Sequence, residues 1–318
     1  MNAFEPFEDF GDIEVIAERL LDQDAAIRRL AVIELAETAS PEALPHLITA
    51  AGDVSEDVRL QAAIALAEFD GVDAAAGLAR LVVDDDHSVA QAAADGLAEL
   101  KNHEAGDSLL PLLDHASAFV RAAAFRGLKG LRLQHALGPA LVALRDGDAS
   151  VRVQALGTIA YLKLDSTIPF LIAATRDENI EVRAAAVSAL TFTTQSAAAE
   201  AVAIALGDAN WQVRAAAAES LGRIGHDSAV EALCQALSDD YWQVQQKSLG
   251  ALGKLKANTA LHRIILLLGS DIPTLRKEAA AALGEIGDHS AEEALAMNID
   301  DPDPDVRKTV RWALTRLG

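Results

Sequence analysis

The stretch Asp208-Ala-Asn-Trp-Gln-Val-Arg-Ala-Ala-Ala-Ala-Glu-Ser-Leu221 carries a Val-Arg pair that recurs along the whole chain at one interval. Steps of 31 residues from Val213, in both directions, reach an aliphatic residue every time. We call these residues the anchors of ten repeats: Ile27, Val58, Val89, Val120, Val151, Val182, Val213, Val244, Leu275 and Val306. A period of this size is typical of solenoids, in which each repeat packs against its neighbours. The sequence therefore predicts ten stacked repeats.

Each repeat is predicted to hold two α-helices. In the second helix a small residue stands at position +4 from nearly every anchor, and a leucine or isoleucine stands at +8. These positions share one stripe of a helix, so we expect that stripe to be buried. In the first helix, Ile13, Ile16 and Leu20 have the spacing of an apolar helical face. No strand pattern is evident, so the predicted fold class is all-α.

The residues around each anchor are expected to be structural. Aspartate stands at position −5 in eight repeats, and Asp, Ser or Asn stands at −3 in eight. We expect both sets to cap second helices, each stabilising its helix by about 0.3–1 kcal/mol. Glycines at +9 and +12 are expected to end second helices: Gly222, Gly253, Gly284, Gly225 and Gly287. Arginine follows eight anchors, and we expect it to bridge to loop aspartates: Arg28, Arg59, Arg121, Arg152, Arg183, Arg214, Arg276 and Arg307.

The composition limits the class of partner and the compartment. The formal net charge is −21, which argues against nucleic acid as a partner, because phosphate binding needs a basic stripe. The single cysteine, Cys234, is compatible with a reducing compartment. Neither a signal peptide nor a membrane-spanning segment is evident, so we expect a cytoplasmic protein that does not bind membranes.

Two segments are predicted. Residues 12–318 are expected to form a single solenoid, and residues 1–11 precede it as an N-terminal tail. Phe4, Phe7 and Phe10 in the tail are spaced by three, so they share one side of a helical turn. The tail is either frayed or packed over an exposed end of the solenoid.

The run from Asp208 to Gly225, with Asn210, Trp211, Val213 and Arg214 in register, resembles the HEAT-like repeat of the phycobilisome-lyase type. The resemblance implies a right-handed α-solenoid of about ten two-helix repeats, with binding on the concave surface lined by second helices. It also implies several functions, because that family includes bilin-attachment lyase subunits, scaffolds and enzymes. Deoxyhypusine hydroxylase has a similar architecture with several His-Glu pairs as iron ligands, whereas this chain has one, His103-Glu104.

Residues that could carry out catalysis are scattered. The eight histidines have no His or Cys partner four residues away, and Cys234 stands at a first-helix position that is isoleucine in other repeats. We therefore predict no catalytic residue, no metal site and no cofactor, and we favour a protein that is not an enzyme.

A binding surface can be predicted instead. Positions +2, +3, +6 and +10, with −2 and −1 at the helix entrance, are expected to face the groove. Early repeats place Glu37, Glu68 and Glu99 there, and late repeats place Arg223 and Lys254. The tryptophans at −2 could equally pack on a neighbouring loop. The predicted partner-binding residues are Phe119, Val153, Tyr161, Ile180, Phe192, Trp211, Gln212, Tyr241, Trp242, Gln243 and Gln246.

Three functions are compatible with these features. The first is a non-enzymatic scaffold or assembly factor, monomeric or homodimeric, whose groove binds a partner protein and whose acidic edges attract a basic segment. The second is a bilin-lyase-like accessory subunit that handles a tetrapyrrole or another cofactor for a client protein. The third is metal-dependent catalysis, which has the least support from the residues.

Overall fold

The computed structural model describes residues 13–193 and 195–317, and within these ranges it contains helices and no β-strand. The chain divides into two units, one ending at Leu162 and the other beginning at Lys163. Each unit contains five of the predicted repeats, so the predicted all-α solenoid of helix pairs is confirmed. The prediction about Phe4, Phe7 and Phe10 lies outside the described residues.

Unit 1 alternates short first helices with longer second helices. Its α-helices are α1 Ile13–Glu18, α2 Ala25–Glu37, α3 Leu44–Ala50, α4 Glu56–Leu66, α5 Val72–Leu81, α6 His87–Glu99, α7 Ala118–Leu131, α8 Leu137–Ala143 and α9 Ala149–Leu162. Its 3₁₀ segments are Arg19–Leu21, Pro41–Ala43, His103–Ser108, Leu110–Asp114 and Gln134–Ala136. Successive second helices (α2, α4, α6, α7 and α9) pack against each other along the stack.

Unit 2 repeats the arrangement. Its α-helices are α10 Ile168–Ala174, α11 Ile180–Ala189, α12 Ser196–Ala205, α13 Trp211–Ile224, α14 Val230–Ala236, α15 Trp242–Lys254, α16 Leu261–Leu266, α17 Pro273–Ile286, α18 Glu292–Ala296 and α19 Pro304–Leu317. Its 3₁₀ segments are Asp165–Thr167, Leu190–Phe192, Asp227–Ala229, Asn258–Ala260, Leu267–Gly269 and His289–Ala291. The second helices α11, α13, α15, α17 and α19 pack in sequence. None of the helices seen in residues 13–193 and 195–317 has the length and apolarity that a membrane crossing requires.

The core of each unit is the predicted stripe of anchor, +4 and +8 residues. Every anchor except Ile27 is buried, and every +4 residue has no exposed surface. Alanine at +4 lets adjacent second helices approach closely, whereas the last repeat has the larger Val310 there. Burying one aliphatic side chain contributes about 1.5–3 kcal/mol, so a stripe repeated in every second helix is a large share of the stability.

The fourth repeat departs from the predicted helix pair. Its first segment is not an α-helix but two 3₁₀ segments, His103–Ser108 and Leu110–Asp114. Pro111 stands at position −9, which lies in the last turn of the first helix in most other repeats, and proline there removes a helical hydrogen bond and clashes with the preceding turn. A Cβ on Gly106 would overlap Leu133 Cδ1, so a larger residue there would displace the Leu133 side chain.

Two of the predicted glycine stops are confirmed and three are wrong. Gly225 and Gly287 end α13 and α17 in the left-handed conformation, with φ of 74° for each. Gly222, Gly253 and Gly284 lie inside helices instead. A Cβ atom on any of these three would stand 2.8–2.9 Å from the Cα of an alanine in the next second helix, so glycine there permits helix contact.

Candidate functional site

Within each unit, arginine–aspartate ion pairs connect neighbouring repeats, and we call this row of pairs the ladder. In each described pair, Arg Nε donates to Asp Oδ2 at 2.6–2.8 Å and Nη2 donates to Oδ1 at 2.7–2.9 Å. The pairs are Arg28–Asp53, Arg59–Asp84, Arg121–Asp146, Arg183–Asp208, Arg214–Asp239 and Arg276–Asp301. Such two-bond ion pairs fix the orientation of both groups, so each pair sets the register of two repeats.

The eight arginines that follow an anchor, including Arg152 and Arg307, also hold their own loops. Nη1 of all eight donates to the backbone oxygen at position −5 of the same repeat, at 2.7–3.0 Å. The hydrogen bond from Arg28 holds the pKa of Asp53 below its usual range, and Arg183 has the same effect on the pKa of Asp208. Burial is the largest single effect on the pKa of Asp239 and would raise it, but the hydrogen bonds from Arg214 and from the Tyr241 N–H, together with the Arg214 charge, lower this pKa overall.

The aspartates at −5 were predicted to cap helices, and that part of the prediction is wrong. Their carboxylates accept from the backbone N–H at −3 and, in the six pairs above, from the arginine of the preceding repeat, as Asp53 does from Ser55 and Arg28. The residues at −3 are the N-caps. The side chains of Asp24, Asp86, Asp148, Asn179, Asn210 and Asp303 accept from helix N–H groups, whereas those of Ser55 and Ser117 do not.

The partner-binding residues predicted in unit 1 lie beside neighbouring repeats. Phe119, half-buried at the start of α7, has its ring edge against His87 at 6.0 Å between centroids. Tyr161, half-buried, has Lys129 Nζ 4.9 Å from its ring centre and the Arg132 guanidinium at 5.9 Å. Val153 is half-buried on the outer side of α9. Cations therefore already occupy positions near the Tyr161 ring.

In unit 2, Trp211, Tyr241 and Trp242 stand at the start of second helices, and we call them the aromatic cluster. The Trp211 ring stacks on Tyr241 of the next repeat at 5.6 Å and 11°, and the Arg214 guanidinium lies 5.6 Å from the same tyrosine ring. Trp211 thus packs on a neighbouring loop, which was the structural alternative. Tyr241 and Trp242 remain 46% and 39% exposed, so this aromatic cluster keeps a free outer side.

The other predicted residues of unit 2 are more dispersed. Ile180 and Phe192 are 39% and 46% exposed, and Lys163 Nζ lies 5.6 Å from the Phe192 ring centre. Gln212 is exposed at the start of α13. Gln243 is half-buried, and its Oε1 atom has no hydrogen-bond donor within the described residues. Among the predicted residues of unit 2, only Gln246 lines the cleft described next.

An open cleft of about 230 Å³ runs across α13, α15 and α17. Its lining residues stand at +2, +3, +6, +7, +9 and +10, and they are Glu219, Gly222, Gln246, Lys247, Gly250, Ala251, Lys254, Glu278, Ala281, Ala282 and Glu285. The cleft is one part of the outward face of the second helices of unit 2 (α11, α13, α15, α17 and α19), and we call that whole face the groove. Glycine and alanine form its floor, and charged side chains form its walls. The predicted partner-binding residues were mostly aromatic or aliphatic and did not include these charged residues. The charged residues nevertheless stand at helix positions that the sequence predicts to face the groove.

The charged groups of the groove are partly paired. Glu219 accepts from Lys247 at 2.7 Å and from Arg223 at 2.5 Å. The bond from Lys247 lowers the pKa of Glu219, and the Arg223 charge acts in the same direction. Gln246 Nε2 donates weakly to Glu278 at 3.4 Å. Because two cations share Glu219, this cluster keeps one net positive charge.

His103, His226 and Cys234 have contacts typical of structural residues. His103 makes a 2.7 Å hydrogen bond to the backbone oxygen of Leu131, and His226 accepts from the N–H of Ser228 as a helix cap. Cys234 is buried, and burial raises the pKa of its thiol. Across the part of the chain that the structure describes, no three His, Cys, Asp or Glu side chains converge as a metal site would require.

Comparison with protein families assigns the repeat. A model of HEAT repeats matches residues 13–94, 137–208, 199–271 and 238–315, which is well over half of the chain. The chain belongs to the HEAT-repeat family. No curated protein matches the sequence of this HEAT-repeat protein.

Solved structures share its fold at low sequence identity. YibA of E. coli is 19% identical with a TM-score of 0.62, over 83% of this chain and 97% of YibA. A Kap121p mutant is 15% identical with a TM-score of 0.64, over 96% of this chain and 41% of that protein. Kap95p, described in a study of its binding to RanGDP, is 15% identical with a TM-score of 0.60, over 96% and 48%. The HEAT-repeat protein spans about half the length of these two Kap proteins.

Proposed function

We propose that this HEAT-repeat protein is a non-enzymatic scaffold or assembly factor that binds a partner protein along its second helices. The groove of unit 2 is the observation that carries the proposal. The buried stripe and the arginine–aspartate ladder hold neighbouring repeats together. The charged side chains of the groove walls belong to neither, so they are available to a ligand. The similar protein Kap95p is described in complexes with RanGDP and with Nup1, which fits a binding role for this fold.

The finer predictions remain part of this proposal. The aromatic cluster of Tyr241 and Trp242 offers apolar anchors beside the groove, and exposed aromatics are frequent hot spots of binding. In unit 1, the exposed Glu37, Glu68 and Glu99 favour a basic segment of a partner. We also propose a cytoplasmic protein, in which residues 12–318 form one solenoid, acting as a monomer or homodimer.

The bilin-lyase-like alternative, together with the phycobilisome-lyase type of repeat, has weaker support. A tetrapyrrole needs open aromatic or apolar faces that converge on one pocket. Here Trp211 stacks on Tyr241, and Tyr161 is flanked by Lys129 and Arg132. We therefore favour a protein ligand over a planar cofactor.

Site-specific crosslinking tests the proposal. A photoreactive residue replaces Gln246 in the groove in one variant and Gln235, exposed on the first helix α14, in a matched control. In the native host we expect a discrete covalent adduct with one protein from position 246 and none from position 235. Equal adducts from both positions, or none from 246, would contradict binding in the groove.

The partner identified in this way then permits a quantitative measurement. Changing Tyr241 and Trp242 together to alanine is expected to weaken binding by about 2 kcal/mol or more, because exposed aromatics of this kind act as anchors. Phe170→Ala is the control, since Phe170 is 47% exposed on the first helix α10. Isothermal titration with the purified partner measures both affinities.

A further inference from the structure

The outward positions of the second helices, +2, +3, +6 and +10, carry opposite net charge in the two units. In unit 1 the charged residues at these positions are four anions and two cations: Glu37, Glu68, Asp95, Glu99, Arg29 and Arg126. In unit 2 they are three anions and six cations: Glu219, Glu278, Glu285, Arg223, Lys247, Lys254, Lys277, Lys308 and Arg316. These positions of unit 2 therefore carry three net positive charges, although the net charge of the chain is −21, and within the cleft itself the lining residues are three glutamates and two lysines.

The cations of this groove are the more available charges. Lys254, Lys277 and Lys308 are exposed, and none has an ion pair with a carboxylate within the described residues. Of the anions, Glu219 is bound by Lys247 and Arg223. Glu278 and Glu285 are half-buried, and Glu285 packs against Gly253. A ligand would therefore meet the lysine ammonium groups first.

Aromatic side chains stand at both ends of the row of cations. Phe192, at +10 of the first repeat of unit 2, is 46% exposed, and Trp312, at +6 of the last repeat, is 42% exposed. Four steps between second helices separate them, or about 32–40 Å at 8–10 Å per step. An extended chain covers this distance with roughly 10–12 residues at ~3.3 Å each.

We propose that the groove of unit 2 binds an extended acidic segment of a partner protein, about 12 residues long, with apolar side chains near its ends. Its carboxylates pair with Lys254, Lys277 and Lys308, and its apolar ends contact Phe192 and Trp312. The inference rests on the proposed function and specifies the chemistry of the partner for unit 2. It differs from the basic segment that the acidic residues of unit 1 favour.

The charge pattern favours a peptide over a nucleic acid. A phosphate backbone carries a charge on every unit and would face Glu278 and Glu285 as well as the lysines. A peptide can place uncharged residues opposite those two glutamates. The negative charge of the rest of the chain would also repel a long polyanion that extends beyond the groove.

Fluorescence anisotropy with the full chain tests the inference. The probes are three labelled 12-residue peptides with phenylalanine at both ends and glutamate, glutamine or lysine at the positions between, separated by alanines. The variant Lys254→Glu/Lys277→Glu removes two exposed cations from the groove. The control Arg145→Glu/Arg176→Glu makes the same change of charge at two exposed arginines in the loops that follow first helices α8 and α10.

We expect the glutamate peptide to bind at least tenfold more tightly than the other two at low salt. The groove variant is expected to lose at least tenfold in affinity, and the control less than twofold. Tighter binding of the lysine or glutamine peptide would overturn the acidic segment while leaving groove binding of a protein intact. No binding of any peptide would also overturn it, and crosslinking at position 246 would then decide the proposed function separately. Single-stranded DNA that binds more tightly than the glutamate peptide would replace the protein segment with a nucleic acid.

Discussion

Individual glycines in the second helices have opposite functions even three residues apart. In α15, a Cβ on Gly253 would lie 2.9 Å from the Cα of Ala282, whereas a Cβ on Gly250 would meet no atom within 4 Å. Gly253 therefore permits the contact between α15 and α17. Gly250 has no such packing contact and only increases the conformational entropy of the unfolded chain. Both glycines lie in α15, Gly250 in its interior and Gly253 one residue before its end at Lys254.

The pair gives a matched test of packing. Gly253→Ala is expected to destabilise the protein by about 1–3 kcal/mol, because the backbone of α17 must move away. Gly250→Ala is expected to stabilise it by roughly 0.5–1 kcal/mol, because alanine loses less entropy on helix formation. Urea denaturation followed by circular dichroism measures both free energies of unfolding. Equal effects of the two substitutions would mean that the helix contact at Gly253 is not tight.

At the scale of the repeat, the arginine of the ladder and the aspartate of the following repeat are present together or absent together. Two repeats lack the arginine, with Ala90 and Gln245 in its place, and the repeat after each also lacks the aspartate, with His115 and Ser270 at −5. Gln245 Nε2 still donates to the backbone oxygen of Asp239 at 2.6 Å. His115 and Ser270 still accept from the N–H at −3. Gln245, His115 and Ser270 therefore keep the bond within their own loops without the bridge, whereas Ala90 has no polar side chain for either.

Restoring a missing bridge tests this account. Gln245→Arg and Ser270→Asp together are expected to stabilise the protein by at least about 1 kcal/mol more than the sum of the single changes, because only the double variant forms a two-bond ion pair. The Arg214–Asp239 pair sets the expected geometry, with both side chains largely buried. A double-mutant cycle from urea denaturation measures the coupling. Additive effects would show that the neighbouring repeats do not bring these side chains together.

The sequence predicted much of the fold because the repeat period marks every second helix. The buried stripe and the glycine stops at Gly225 and Gly287 follow from local rules of helix formation. Contacts between repeats were harder to predict. The position of Gly253 against Ala282 and the stacking of Trp211 on Tyr241 depend on how far one helix is displaced relative to the next. A single helical wheel contains no such information.

At the scale of the whole chain, the ladder makes the stability of the folded state depend on pH. Several aspartates of the ladder have a pKa below the usual value, chiefly because an arginine of the preceding repeat donates to them: Asp53, Asp84, Asp146, Asp208 and Asp301. In the unfolded chain these groups titrate near pKa ~3.9. The folded state therefore binds fewer protons than the unfolded state below about pH 4–5, and stability must fall with pH in that range.

We therefore expect the contribution of the ladder to the free energy of unfolding to be nearly constant above about pH 5. This contribution decreases as the pH falls through the folded pKa values. The variant Asp208→Asn/Asp239→Asn removes two of these carboxylates. It is expected to be less stable than the native protein at pH 7, because two bridges lose their charge, and to lose less stability between pH 4.5 and 2.5. Urea denaturation at several pH values measures both dependences. Parallel curves for the two proteins would show that other carboxylates cause acid unfolding, and that the ladder sets the register of the repeats without controlling their pH response.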